Sequence, residues 1–232
     1  CALPIWADRG ETNPCCYMHK QRGLSPFHHG GDFVIFGRRA DTKWITEKLS
    51  STFIVKDQGC LGPRPGDLTE INILHRAIRY LPVGSEGGER VEFEADPRHA
   101  EIIVKQCGLD GERTKGVTTP AIKVGAGPPQ MAKLTGADLE YYRSVCMRIG
   151  YLALDRPDLQ YAAKECARGM SEPLQRHLEM LKRAARYLVH APGLVWVWRR
   201  QKWPGRIAAR SDTDWAGCPV SRKSRSEEHT SE

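Results

Sequence analysis

The sequence contains no C-x-x-C pair and no cysteine with a histidine at metal-ligand spacing; its eight cysteines, at positions 1, 15, 16, 60, 107, 146, 166 and 218, are scattered. That pattern argues against a zinc site and for reduced thiols in a cytosolic or nuclear setting. No apolar run approaches the length needed to cross a bilayer, and no secretory signal pattern opens the chain, so no membrane partner is expected. The glycine-rich run at 125–129 and Gly136 lack the Lys-Ser/Thr that completes a phosphate loop, and no small-molecule cofactor is expected. Acid is nearly missing from one stretch. Within residues 174–206, Glu179 stands alone against eight basic residues, whereas the rest of the chain has 27 basic and 27 acidic residues. The whole net charge of +7 therefore falls in this stretch, where Tyr187, Trp196, Trp198 and Trp203 are interleaved. A basic stripe with stacking groups suits a polyanion groove, although a solvated helix face beside core tryptophans has the same composition.

What is present is ordinary globular material. Apolar residues make up 40% and charged residues 27% of 232 residues, enough for one large core or two small ones. Residues 24–28 and 33–36 read as short strands around the turn His29-Gly30-Gly31-Asp32, where glycine supplies the positive φ of a tight hairpin. Trp44, Ile45, Lys48, Leu49 and Thr52 follow at helical spacing, closed by Phe53. Residues 59–67 are a Gly/Pro-rich loop, 69–81 alternate as strands, and 90–94 offer another. Asp96 with Pro97 begins a helix that faces inward through Ala100, Ile103, Val104 and Cys107 and stops at Gly108.

Residues 110–137 break the pattern and are expected to be a linker. Three helices then follow. Thr135 and Asp138 have capping-box spacing before the stripe Leu139, Tyr142, Cys146, Ile149 and Leu152. Pro157 opens the second, with Leu159, Ala162, Ala163, Cys166 and Met170 inward. The third begins near Pro173, buries Leu174, Leu178, Leu181, Ala185 and Leu188, and directs Arg176, Lys182, Arg183 and Arg186 elsewhere. Residues 194–198 and 206–210 read as strands, the second leading into Ser211-Asp212-Thr213-Asp214.

Two segments carry a family resemblance. One consists of Tyr142-Arg143-Ser144, Tyr151-Leu152 with Arg156-Pro157-Asp158, Gly169-Met170-Ser171 with Pro173, His177, and Lys182-Arg183 with Arg186-Tyr187-Leu188. It resembles the connection between polymerase and ribonuclease H in copia-type retrotransposon Pol polyproteins, with their Y-R-S, Y-L-x-x-x-R-P-D, M-S-x-P and K-R-x-x-R-Y-L motifs. The other runs from Ser211 through Asp212, Asp214, Trp215 and Gly217 to Cys218, with Arg222-Lys223-Ser224 after it, and is similar to the opening of that family's ribonuclease H domain. The ends look foreign: residues 1–5 and 225–232 resemble translated sequencing adaptors and are set aside.

The resemblance implies an α+β chain: a partial polymerase palm and thumb region over 6–109, a linker over 110–137, a helical connection over 138–205, and the first strand of a ribonuclease H-like fold over 206–224. The implied partners are an RNA or DNA template–primer and the remainder of the Pol polyprotein. The implied cofactor is Mg²⁺ or Mn²⁺, bound through carboxylates as two-metal chemistry requires. Asp32 matches one metal-binding Asp of the polymerase turn, but Gly31 stands where the family has the other. Asp212 matches the first catalytic Asp of ribonuclease H, and Asp214 is the neighbour most often written beside it. Each site needs three or more converging carboxylates, so the expectation is a chain inactive by itself. Arg176, Lys182, Arg183 and Arg186 are the candidate nucleic-acid contacts. Two other readings stay open: a non-catalytic nucleic-acid-binding module, and a stand-alone nuclease centred on Asp212, for which Asp212 and Asp214 have the alternative of being a turn-forming pair after a strand. His28 and His29 are given no catalytic role, since neighbours on a strand face opposite sides.

Overall fold

The structure, a computed structural model, describes residues 7–122, 132–202 and 209. The chain divides after Cys60 into two compact units.

In the first unit, β1 (Asp8–Arg9) pairs antiparallel with β2 (Tyr17–Met18), and β3 (Ser25–His29) with β4 (Asp32–Phe36). The β3–β4 register places His29 opposite Asp32, so Gly30 and Gly31 form a two-residue turn. Gly30 has φ +59°, the positive value that a tight hairpin of this twist asks of its first turn residue. The helix α1 (Arg39–Ser50) starts five residues before the apolar spacing does. Asp41 lies in its first turn, where an acidic side chain suits the helix dipole. Ile45 and Leu49 of α1 are buried with Ala7, Tyr17 and Leu24 in a small core. Arg22 holds Asp41 at 2.9 Å while its guanidinium lies 4.2 Å over the Trp44 ring.

The second unit joins a sheet to a helical bundle. Its strands run β5 (Glu70–Ile73), β6 (Arg76–Leu81), β7 (Arg90–Glu94), and its helices are α2 (Arg98–Gln106), α3 (Gly136–Leu152), α4 (Pro157–Ala167) and α5 (Gln175–His190). The last strand among the described residues, β8 (Val195–Arg199), returns to β7, giving a wholly antiparallel order β5-β6-β7-β8. The two-residue β5–β6 turn is Leu74-His75, with φ of +50° and +64°, a left-handed pair made without glycine or asparagine. One sheet face carries Ile71, Ile78, Val91, Phe93, Trp196 and Trp198. The opposite face is charged, with Arg79 bridging Glu70 and Glu94 at 2.6 Å each.

The helical stripes meet where the periodicity predicts. Tyr142, Cys146, Ile149 and Leu152 of α3, Leu159, Ala162, Ala163 and Cys166 of α4, and Leu178, Leu181, Ala185 and Leu188 of α5 share one core with Ala100 and Ile103 of α2. Each fully buried leucine or isoleucine there contributes roughly 1.5–3 kcal/mol of transfer free energy. Asp96 opens α2 by accepting the Arg98 N–H at 3.0 Å, and Pro157 stands in the first turn of α4. The capping box expected at Thr135 does not form: no side-chain hydrogen bond closes that helix start.

Mixed helix and antiparallel sheet is the α+β composition the sequence predicts. Of the stretch 110–137, expected to be a linker, the described residues 110–122 and 132–137 fall inside the second unit. The reason is packing across that stretch: α2 before it shares the core of α3–α5 after it, and β8 is hydrogen-bonded to β7. The strand expected at 206–210 and the segment 211–224 fall on residues outside the described ones, apart from residue 209.

Candidate functional site

The first candidate is the β3–β4 hairpin. Asp32 opens β4 and is exposed, opposite His29, which is exposed too. His28 faces the other side, its ring against Tyr17 and Phe33 at 5.7 and 6.2 Å between centroids, a packing role. An added Cβ at Gly31 would meet nothing within 4 Å, so the turn has room for a carboxylate there but lacks one. Among the described residues no three His, Cys, Asp or Glu side chains converge as a metal site needs. The hairpin as it stands does not fit a two-metal centre, because hard divalent ions need several oxygen ligands and Asp32 is one. Asp212 and Asp214 lie outside the described residues.

The second candidate is the outer face of α5, where the four predicted cations differ in their surroundings. Lys182 and Arg186 are exposed, and Arg176 and Arg183 are half-buried. Residues 115–119 lie along the C-terminal half of the helix as a strap. Arg183 Nη2 donates to Thr119 Oγ1 at 2.7 Å, Arg186 Nε and Nη2 both reach the Lys115 carbonyl at 3.2 Å, and the Val117 N–H donates to the Arg186 carbonyl at 3.2 Å. Gly116 permits this approach: a Cβ there would lie 2.7 Å from His190 Cβ and 2.8 Å from its backbone nitrogen. Lys182 stands beside Cys107, whose thiol burial pushes up, beyond the partial relief given by the Tyr141 hydroxyl at 3.1 Å and by the lysine. Such a thiol is a poor nucleophile. The six cysteines at 15, 16, 60, 107, 146 and 166 are all free.

The residues that carry the family resemblance have structural work that periodicity does not predict. Arg156 is 1% exposed. Its guanidinium grips Asp158 (Nε to Oδ1 3.0 Å, Nη2 to Oδ2 2.7 Å) and donates to the carbonyls of Ala191 at 2.9 Å and Pro192 at 3.2 Å. The Tyr187 hydroxyl adds a bond to Asp158 Oδ2 at 2.8 Å. Burial pushes the Asp158 carboxyl up, but the hydrogen bonds from Arg156 and Tyr187 outweigh it and leave the pKa below its ordinary value. The R-P-D and R-Y-L motifs thus tie the start of α4 to the end of α5. His177 makes a second tie. Its Nδ1 accepts the Leu174 N–H at 3.0 Å and so caps α5, while burial and the Arg176 charge lower its pKa. Gly169 lies against that ring, where a Cβ would come within 2.5 Å of Nδ1. Sequence reasoning singled out these positions without a role, because nothing local shows that Arg156 reaches a helix end 35 residues away.

A third feature lies on β8. Trp196 and Trp198 are parallel to within 6°, with ring centroids 5.8 Å apart, on a strand that lies at the sheet edge among the described residues and whose residues are all exposed.

Three curated proteins of Arabidopsis thaliana are similar to the chain. The Retrovirus-related Pol polyprotein from transposon RE1 is 35% identical over 106 residues, 44% of this chain and 7% of that protein. The corresponding polyprotein from transposon RE2 is 34% identical over 132 residues, 55% of this chain and 9% of that protein. An uncharacterized mitochondrial protein is 29% identical over 182 residues, 76% of this chain and 65% of its own length. The chain therefore spans less than two thirds of each of these relatives. No protein-family model matches it, and no solved structure does. The similarity to the two transposon polyproteins supports the resemblance carried by the motifs around Arg156 and Tyr187, that of a retrotransposon Pol fragment.

Proposed function

We propose that this chain is a catalytically incomplete stretch of a retrotransposon reverse transcriptase, running into the start of its ribonuclease H domain, and that it binds nucleic acid without copying or cutting it. The observation that carries the proposal is the hairpin: its turn is Gly30-Gly31 and it presents a single carboxylate, Asp32. Asp212 and Asp214 are, on this reading, the opening carboxylates of the ribonuclease H site; their match is to the family's sequence motif. Template–primer and the rest of the Pol polyprotein are the proposed partners, and Mg²⁺ or Mn²⁺ belongs to the intact enzyme. The reduced-thiol reading of the cysteines makes the proposed setting cytoplasmic or nuclear.

Two measurements test this. Primer extension by the purified chain, with Mg²⁺ or Mn²⁺, is expected to be absent, and absent still in Gly31→Asp, which the open turn accommodates. Extension by either protein sinks the catalytic half of the proposal. For binding, contacts from about four cations of α5 and the residues after it give a log–log salt slope near −3 to −4 on duplex DNA. Lys182→Ala with Arg186→Ala is expected to make that slope shallower by about one unit per lost contact, alike for unrelated sequences. A slope near zero identifies the stripe as a solvated face, and a loss confined to one sequence identifies base readout.

A further inference from the structure

We infer that the paired tryptophans of β8 are a stacking platform for the bases of an unpaired nucleic-acid strand, a site separate from the phosphate-binding face of α5. The inference rests on the nucleic-acid reading above and deepens it by naming the strand state and the contact.

Among the described residues β8 is the last strand of its sheet, and one of its faces is aromatic. Trp196 is 37% and Trp198 52% exposed, which is unusual for the largest apolar side chains. Both rings are held in place. Trp196 Nε1 donates to the Asp155 carbonyl at 2.8 Å, and Asp155 is itself clamped by Arg76 at 2.7 Å, so the ring is fixed to the turn after α3. Phe93, on β7, meets Trp198 edge-to-face at 6.0 Å and 79°. A rigid, parallel, open pair of indoles is what a base can extend by stacking, with little conformational entropy left to lose.

The charge beside the pair fits a polynucleotide. Sheet pairing continues one residue past β8, with the Arg200 N–H donating to the Glu89 carbonyl at 3.0 Å, so Arg200 follows Trp196 and Trp198 on the same alternation. Its side chain is 75% exposed although it holds Glu89 at 2.8 Å, and the exposed Lys202 comes two residues later. Aromatic faces for bases next to cations for phosphates are the two elements of sequence-tolerant single-strand binding. A paired duplex cannot use the platform, because its base faces are already stacked.

The test uses the full chain and three probes of equal length: a thymine oligonucleotide, the same strand with abasic sites, and a duplex. The thymine strand is expected to bind about 5- to 150-fold more tightly than the abasic strand, the range for one stacked base. Trp198→Ala should remove that difference and leave the salt slope unchanged, while Trp198→Phe restores part of it. Lys182→Ala with Arg186→Ala should do the reverse, changing the slope and sparing the preference for bases. Equal affinity for thymine and abasic strands overturns the platform while the polyanion reading stands. Binding of neither strand, with no affinity for the duplex, overturns both. A base preference that survives Trp198→Ala also overturns the assignment, because stacking then lies elsewhere.

Discussion

Replacing Arg156 tests whether the family's R-P-D motif is a structural knot. The side chain is 1% exposed and makes four hydrogen bonds of 3.2 Å or less, two to Asp158 and two to the carbonyls that end α5. Arg156→Ala removes the guanidinium and leaves Asp158, whose side chain is 22% exposed, with the Tyr187 hydroxyl and little else. Breaking a buried pair by deleting one partner costs about 3–5 kcal/mol, because the remaining charge stays desolvated. The two stranded carbonyls are partly rehydrated, so the lower half of that range is expected, about 3 kcal/mol. With a urea m-value of about 2 kcal/mol per molar, the midpoint of the second unit's transition should fall by about 1.5 M. Arg156→Met with Asp158→Leu should recover most of the loss, since replacing both charges by apolar groups leaves nothing unpaired. The assay is urea unfolding followed by far-UV circular dichroism. A loss below about 1 kcal/mol in Arg156→Ala, the size of an exposed ion pair, refutes the reasoning, as does a double variant no better than the single one.

Three further outcomes are expected. Arg98 beside Asp96 holds that carboxyl down, from 3.8 to about 2. A depressed folded-state value stabilises above the unfolded pKa and is lost as pH falls through the folded one, so unfolding free energy should drop between about pH 4 and 2, and Asp96→Asn should flatten that part of the profile. Gly169→Ala should lower stability by about 1–3 kcal/mol in thermal melts, because its methyl would displace the His177 ring from the start of α5, and an unchanged melting temperature would show that the ring gives way freely. Gly116→Ala should push the 115–119 strap off His190, speed hydrogen exchange at the Val117 amide and steepen the salt slope of DNA binding by about one unit for each arginine released. Faster exchange with an unchanged slope would show that the strap leaves those arginines available as they are.

Periodicity and punctuation determined a good deal of this molecule without any coordinates. The stripes of α3, α4 and α5 are buried as their 3.6-residue spacing demands, and Asp96, Pro157 and the turn at Gly30 mark the element starts that local chemistry predicts. The motifs around Arg156 and Tyr187 carried the resemblance to retrotransposon Pol polyproteins, because they are a linear pattern. Tertiary structure decided what such patterns cannot encode. Leu74-His75 turns a hairpin with no turn-forming residue, since the pairing of the flanking strands fixes its backbone. The return of β8 to β7 is a long-range pairing with no local signature, and it turns two interleaved tryptophans into an exposed parallel pair. The same holds for charge. Arg156, Arg183 and Arg186 are alike as letters, yet one is buried in a knot, one holds a threonine on a strap, and one remains exposed, because a long cation's role is set by the acceptors that folding brings within about 3 Å of it.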